Sequence, residues 1–526
     1  MRAVWLRLRA VLNDMSIIRN LLGFVDSILD RITMYRVILY YLIAILLIAM
    51  GLSAFGLLSY DPVSIGLTAL FFVFVSEWTN DVFSKVFAVP VNVESTTITA
   101  LILACIVSPV KQASDFISIA IISVLAVSSK YILAINKKHL FNPAALAVVL
   151  SGSFFRVPAT WWVGNPALAW FVGLGGLLVM RKIRREPMIW TFFGTVLLVS
   201  TMTAILKGSP LVTLYSRLFL HSSLLFLAFA MLTEPMTSPP VKDMQIVFAA
   251  IVGFLFVPDI HIGSVYSTPE LALVAGNVFS YVVSPKERLV LYLKEKILHS
   301  SDVIDFVFTL PQGINHTPGQ YMEWTLPHKD PDSRGNRRYF TLASSPTESE
   351  LRLGVKFYEH SSSFKKALLA LGSGTPIAAS QRAGDFVLPK DTAQKLVFIA
   401  GGIGVTPYRS IIKYLVDKGE RRDIVLMYAN KIKNDIVYAD IFEKARVLLG
   451  MRTIYTLTDT AAIPADWGGK RGRIDSAMIA SEIPDFRDRH FYLSGPYAMV
   501  TSYERVLLGM GVPDAQIKKD FFPGFV

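Results

Sequence analysis

The stretch Leu396-Val397-Phe398-Ile399-Ala400-Gly401-Gly402-Ile403-Gly404-Val405-Thr406-Pro407 decides how the second half of this chain folds. Its apolar start predicts a buried strand, its glycines a tight turn, and the pattern over 407–417 a helix. Glycines at such a turn let backbone approach a dinucleotide pyrophosphate, and Thr406 can cap the helix behind it. Upstream, short alternating runs at 289–297, 303–309, 320–326, 337–342 and 351–358 are separated by turn-rich segments, which predicts a small antiparallel barrel. The second half therefore divides into a β-barrel domain, 285–390, and an α/β nucleotide-binding domain, 391–526.

The chain of 526 residues is 53 % hydrophobic and only 17 % charged, a composition that fits a membrane protein with a sizeable soluble part. Apolar runs fall at 36–59, 62–80, 95–108, 114–134, 141–155, 161–180, 188–206, 212–232, 244–258 and 268–284. They predict an α-helical polytopic membrane bundle of about ten spans over 35–284. With the N-terminus inside, Lys85, Lys130, Lys137, Lys138, Arg181, Lys182, Arg184, Arg185 and Lys242 join the N-terminal arginines on the cytoplasmic side. Only Lys111, Arg156, Lys207 and Arg217 fall outside. An even number of spans returns the chain to the cytoplasm, where a nucleotide-binding domain meets its ligand. The expected location is the cell membrane, multi-pass, with the N-terminus and the soluble half cytoplasmic. In residues 1–34, apolar side chains recur at helical spacing among basic ones, which predicts an amphipathic segment lying on membrane lipid.

The net charge of +12 is shared between the two halves, with no basic arm, so nucleic acid is not an expected partner. The single cysteine, Cys105, supplies neither a disulfide nor the four ligands of an iron–sulfur cluster. Electron relays inside this chain would need flavin or haem.

An internal repeat joins LILACIVSPVKQ (101–112) to LAFAMLTEPMTS (227–238), and FNPAALAVV (141–149) to STPELALVA (267–275). Five spans per unit, an odd number, make an inverted five-helix repeat, with a ligand site expected at the repeat interface. Glu77 and Asp81, near the inner end of the second span, suit either an ion or proton path or a solvated helix end.

His139-Leu140-Phe141-Asn142-Pro143-Ala144 and Thr233-Glu234-Pro235-Met236-Thr237-Ser238-Pro239 resemble signatures of the NqrB/RnfD family, the flavin-bearing membrane subunits of the sodium-pumping NADH:quinone oxidoreductase and the Rnf complex. The resemblance covers about residues 36–284. It implies a bundle holding FMN or riboflavin, with Asn142, Pro143, Thr233, Glu234 and Pro235 in the cofactor region. The family's flavinylated threonine lies in an outer loop, where this chain reads Lys207-Gly208-Ser209-Pro210-Leu211-Val212-Thr213. Thr213 stands at about that position but lacks the family's Gly-Ala context, so the expected flavin is non-covalent.

Residues 287–526 resemble the ferredoxin–NADP reductase superfamily. The resemblance rests on Pro318-Gly319-Gln320-Tyr321, Arg338-Tyr339-Phe340-Thr341, His360-Ser361-Ser362-Ser363-Phe364, the glycine turn, and Ser494-Gly495-Pro496-Tyr497-Ala498-Met499. It assigns Arg338 to the FAD pyrophosphate, Phe340 to packing on the isoalloxazine and the Thr341 hydroxyl to flavin N5, with Tyr339 in the same strand. Ser362 and Ser363 stand at a helix N-terminus that suits the FAD pyrophosphate, although the family's usual glycine is missing there. Gly401, Gly402, Gly404 and Thr406 would receive NAD(P)H. Gly495 and Pro496 would flank the nicotinamide, with Ser494 in place of the family's cysteine. Phe525 matches the family's aromatic tail near the flavin. Thr341 and Ser494 are the expected catalytic pair.

Together these readings predict an enzyme, an NAD(P)H-dependent flavin oxidoreductase. Cytoplasmic NAD(P)H would be oxidised through FAD, and membrane flavin would carry electrons to an extracytoplasmic flavoprotein or a quinone. Two alternatives use the same parts. One is a haem-based ferric reductase or NADPH oxidase, which needs histidine pairs on facing helices, whereas only His221 lies well within a span. The other is a transporter whose reductase domain senses redox state.

Overall fold

The computed structural model describes residues 24–526 apart from 27, 30, 31, 88–92, 136, 137, 264, 285–288, 310–315, 330, 333–335 and 521–526. The chain divides into two compact units, Met1–Glu287 and Arg288–Val526. Residues 1–23 of the expected amphipathic segment, and Phe525, lie outside the described residues.

In the first unit, helices occupy all ten apolar stretches. They are α1 Met34–Ala54, α2 Pro62–Val86, α3 Val93–Ile106, α4 Asp115–Ile132, α5 Pro143–Phe155, α6 Pro166–Ile183, α7 Glu186–Leu206, the broken pair α8 Leu211–Leu220 and α9 Leu224–Met231, α10 Lys242–Phe256 and α11 Pro269–Val283. Five of them (α1, α2, α4, α6 and α7) are long and apolar enough to cross a membrane, and α8 with α9 makes a sixth candidate bent by 53°. Helices α3, α5, α10 and α11 have 14, 13, 15 and 15 residues, short of the roughly 20 a straight span needs. Proline sets several of these limits. Helix α3 stops three residues before Pro109, and α5 and α11 each open on a proline behind a capping side chain, Asn142 or Thr268.

The order of elements repeats. A hairpin, β1 Ala134–Ile135 with β2 Lys138–His139, precedes α5, and its counterpart, β3 His261–Ile262 with β4 Val265–Tyr266, precedes α11. Helix α4 packs on α2 and α5, as α10 packs on α7 and α11. The two copies meet where α1 packs on α6 and where α5 packs on α11.

The second unit holds two six-stranded sheets. The first is antiparallel, built from β5 Leu289–Ser300, β6 Val303–Thr309, β7 Tyr321–Thr325, β8 Arg337–Thr341, β9 Glu350–Lys356 and β10 Pro376–Ala383 in the order β8-β7-β10-β5-β6-β9. Its two ends meet just past β8, where Ala343 N–H donates to Arg352 O at 2.9 Å. Strand β10 is absent from the sequence reading, because Pro376-Ile377-Ala378-Ala379-Ser380 begins with proline and lacks bulky alternation. Helix α12, Ser363–Ala370, follows β9.

The second sheet is parallel, in the order β14-β13-β12-β11-β15-β16. Its strands are β11 Leu396–Gly401, β12 Ile424–Asn430, β13 Arg452–Leu457, β14 Lys470–Arg471, β15 His490–Ser494 and β16 Ile517–Asp520. Strands β11 and β12 are buried along their whole length, which accounts for their continuous apolar runs. Helices α13 Thr406–Lys418, α14 Ala439–Leu449, α15 Ser476–Glu482 and α16 Tyr497–Gly509 complete the layers. The strand order reverses between β11 and β15, the crevice where open α/β sheets bind ligands.

Candidate functional site

That crevice opens into a cleft of about 260 Å³. Arg338, Tyr339, Phe340 and Thr341 of β8 line it, together with Ser362 before α12, Gly404 and Thr406 of the glycine turn, and Ser494, Gly495 and Pro496 after β15. Four of the five sequence motifs thus converge on one cavity, whereas Pro318-Gly319-Gln320-Tyr321 and the single residues Ser363, Gly401 and Gly402 do not line it.

Arg338 is 4 % exposed. Its guanidinium lies 5.3 Å from the centre of the Phe364 ring, and Phe340 packs on the same ring with centroids 5.9 Å apart. Tyr339 donates its hydroxyl proton to Glu323 at 2.7 Å. Ser362 caps α12 by accepting the Lys365 N–H at 3.3 Å. The Ser363 hydroxyl turns instead to the preceding loop, where it accepts the Asp332 N–H at 2.8 Å.

Packing is one reason for the glycines. A Cβ on Gly404 would lie 2.5 Å from both Gly495 Cα and Ser494 O, and Gly402 has φ +52°. The turn and the 494–495 loop therefore touch backbone to backbone. Thr406 does not cap its helix as expected. It is the first residue of α13, and its hydroxyl donates to Ile403 O at 3.2 Å.

Sequence reasoning missed Asp520, the last residue of β16. The hydroxyls of Thr341 and Ser494 each donate to Asp520 Oδ2 at 3.4 Å, so the two expected catalytic residues share one carboxylate. Asp520 keeps partial exposure as a residue, while desolvation pushes its carboxyl up to about 7, against the two hydroxyl hydrogen bonds and with help from the charge of Asp385. The only sequence signal is an acid just ahead of the aromatic tail.

In the first unit, the Asn142 side chain caps α5, accepting the Ala145 N–H at 3.0 Å, and its amide donates to Glu234 Oε2 at 2.8 Å. Asn142 N–H donates to Asn277 Oδ1 at 2.8 Å, and the Thr237 hydroxyl donates to Glu234 Oε2 at 2.9 Å. Pro143, Thr233 and Pro235 are buried beside these residues in sequence, and the Thr233 hydroxyl donates to Phe229 O at 2.9 Å. The strings 139–144 and 233–239 are thus joined by a hydrogen bond between Asn142 and Glu234. Thr213 is not in a loop. It sits exposed in the first turn of α8, beside a shallow depression that Ser216, Arg217 and His221 also line. The loop ends at Pro210 because that residue precedes the first helical position. Thr97 donates to Glu77 at 2.7 Å, and Asp81 pairs with Lys85 at 2.6 Å, one turn along α2.

Residues 398–505 match the family model described as the oxidoreductase NAD-binding domain. The chain is 27 % identical over 227 residues to the stachydrine N-demethylase reductase subunit Stc4 of Rhizobium meliloti, covering 42 % of this chain and 63 % of that protein. It is 26 % identical over 246 residues to the ferredoxin reductase component of 3-ketosteroid-9-alpha-monooxygenase from Mycolicibacterium smegmatis, covering 44 % and 65 %. A flavohemoprotein of Halalkalibacterium halodurans matches at 24 % over 259 residues, covering 46 % and 59 %. The chain thus spans about 59–65 % of the length of these curated relatives. Among solved structures, the FAD/NAD-binding domain of nitric oxide dioxygenase from Vibrio cholerae aligns over 44 % of this chain and 98 % of its own, with 23 % identity and a TM-score of 0.39. Within the second unit, residues 398–505 thus match an oxidoreductase NAD-binding domain, and the unit is similar in sequence to these reductases.

Proposed function

We propose that this protein is a multi-pass oxidoreductase of the cell membrane. It oxidises cytoplasmic NAD(P)H in its second unit and delivers the electrons through flavin in its first unit to an extracytoplasmic flavoprotein, or to a quinone. The observation that carries this reading is the single cleft shared by Arg338–Thr341, the glycine turn and the 494–496 loop, in a chain whose other half is an apolar helical bundle.

The residues fit the cofactor. A buried guanidinium and a helix N-terminus suit a diphosphate, the aromatic strand suits a flat ring, and the bare glycine turn suits a dinucleotide. Bound FAD would supply the chemistry of accepting a hydride from nicotinamide and releasing electrons one at a time. Arg338 with Ser362 and the α12 N-terminus would hold the FAD diphosphate, and Gly404 with Gly495 and Pro496 would hold the nicotinamide nucleotide. The Asp520 carboxyl, its titration raised to about 7, gains and loses a proton near neutral pH beside the Thr341 and Ser494 hydroxyls, which suits a group that exchanges protons during turnover.

In the first unit, FMN or riboflavin would sit non-covalently near Asn142, Pro143, Thr233, Glu234 and Pro235. Five helical stretches per copy, an odd number, favour an inverted repeat with its ligand at the interface. A hydrocarbon core of about 30 Å is too thick for one efficient electron jump, which is why a cofactor within the bundle is required. Acid extraction of the purified protein should release FAD together with FMN or riboflavin, and the spectrum should show no haem. FAD alone, or a sharp Soret band on reduction, would overturn the reading.

A further inference from the structure

The guanidinium assigned to the FAD diphosphate has an anionic partner inside the fold. Asp332 Oδ1 lies 3.1 Å from Arg338 Nη2, and Asp332 Oδ2 accepts the Ser363 backbone N–H at 3.0 Å. Ser363 opens α12, so its N–H is among the donors that no helical carbonyl satisfies. One carboxylate therefore bridges a buried guanidinium and a helix N-terminus, the two groups that a diphosphate would use.

The carboxylate is held firmly in place. Asp332 N–H donates back to the Ser363 hydroxyl at 2.8 Å, and His328 Nε2 lies 2.9 Å from that same hydroxyl. The other His328 nitrogen lies 2.8 Å from Leu326 O, which ties the loop to the end of β7. Arg338 is steadied in turn by its Nη1, which donates to Arg337 O at 2.6 Å, and by the Phe364 ring. A phosphate drawn to the same donors would meet a like charge at hydrogen-bond range, and that juxtaposition disfavours keeping both.

We propose that Asp332 is an affinity- and specificity-determining residue of the flavin site. Its carboxylate competes with the FAD diphosphate for Arg338 and the α12 N-terminus. Exchange of one anion for the other lowers FAD affinity and narrows the preference for FAD over flavins without a diphosphate. The proposal rests on the reading of the cleft as a flavin site.

The test uses the full-length protein in detergent, stripped of flavin, with FAD and riboflavin titrated separately by fluorescence. The FAD binding that Arg338→Ala removes defines the share of the cleft. Asp332→Asn should tighten that component about tenfold, the low end of what losing a charge-assisted contact is worth. It should leave riboflavin binding within about twofold, because riboflavin has no phosphate to compete. In the Arg338→Ala background, Asp332→Asn should no longer tighten FAD. Weaker or unchanged FAD binding in Asp332→Asn, with riboflavin binding intact, would overturn the competition and make Asp332 a mere support for Arg338. If Arg338→Ala removes no FAD binding at all, the assignment of the cleft itself fails, and the proposal falls with it.

Discussion

At the scale of single residues, Asp520 is where the chemistry departs most from its ordinary solution behaviour. A free aspartate titrates near 3.9, but desolvation between Thr341 and Ser494 moves this one to about 7. Because the folded value is raised, the stability carried by the protonated form is fully present below about pH 4. It is lost as pH rises through about 7. Asp520→Asn removes that titration. Its thermal unfolding should match the parent at pH 4 and occur at higher temperature than the parent at pH 8, and equal differences at both pH values would contradict the burial argument. NAD(P)H oxidation by the variant with an artificial acceptor should also lose its pH dependence around neutrality. Arg338 and Thr341 were legible in sequence because they stand in a recognisable strand string. Asp520 was not, because the four residues Ile517–Asp520 have no period and its partners lie 26 and 179 positions away.

At the scale of elements, the glycine turn was readable because it joins a continuous apolar strand to a helix. The reason for one of its glycines was not readable, since the neighbour of Gly404 is the backbone of the distant 494–495 loop. Gly404→Ala would force that contact apart. It should destabilise the second unit by about 1–3 kcal/mol, as overpacking does, and weaken NAD(P)H binding while leaving FAD content unchanged. Thermal unfolding and nucleotide titration on the same preparation check this, and unaltered NAD(P)H affinity would refute the close approach. The helices of the first unit show the opposite balance. Hydropathy placed helical structure at each of the ten apolar stretches, but five of these helices are long and apolar enough to cross a membrane and a sixth candidate is broken at 221–223. Strand β10 escaped notice because its small residues carry no alternating signal, although it pairs with both β5 and β7.

At the scale of the whole molecule, two units of different chemistry share one chain. The order of the first unit, with two hairpins each leading into a proline-opened helix, was partly visible as an offset between short strings. The network joining Asn142, Glu234 and Asn277 was not, since sequence gives no sign that residues so far apart share hydrogen bonds. The central claim is that electrons taken from NAD(P)H on one face reach an acceptor on the other. Its most direct measurement uses sealed vesicles of known orientation carrying the full-length protein, with NAD(P)H supplied to the reductase face and an impermeant acceptor confined to the opposite face. The account predicts acceptor reduction that needs both the protein and NAD(P)H and survives Thr213→Ala, because the membrane flavin is expected to be non-covalent. NAD(P)H oxidation with no reduction of the opposite-face acceptor, while membrane quinone is reduced, would contradict transmembrane transfer.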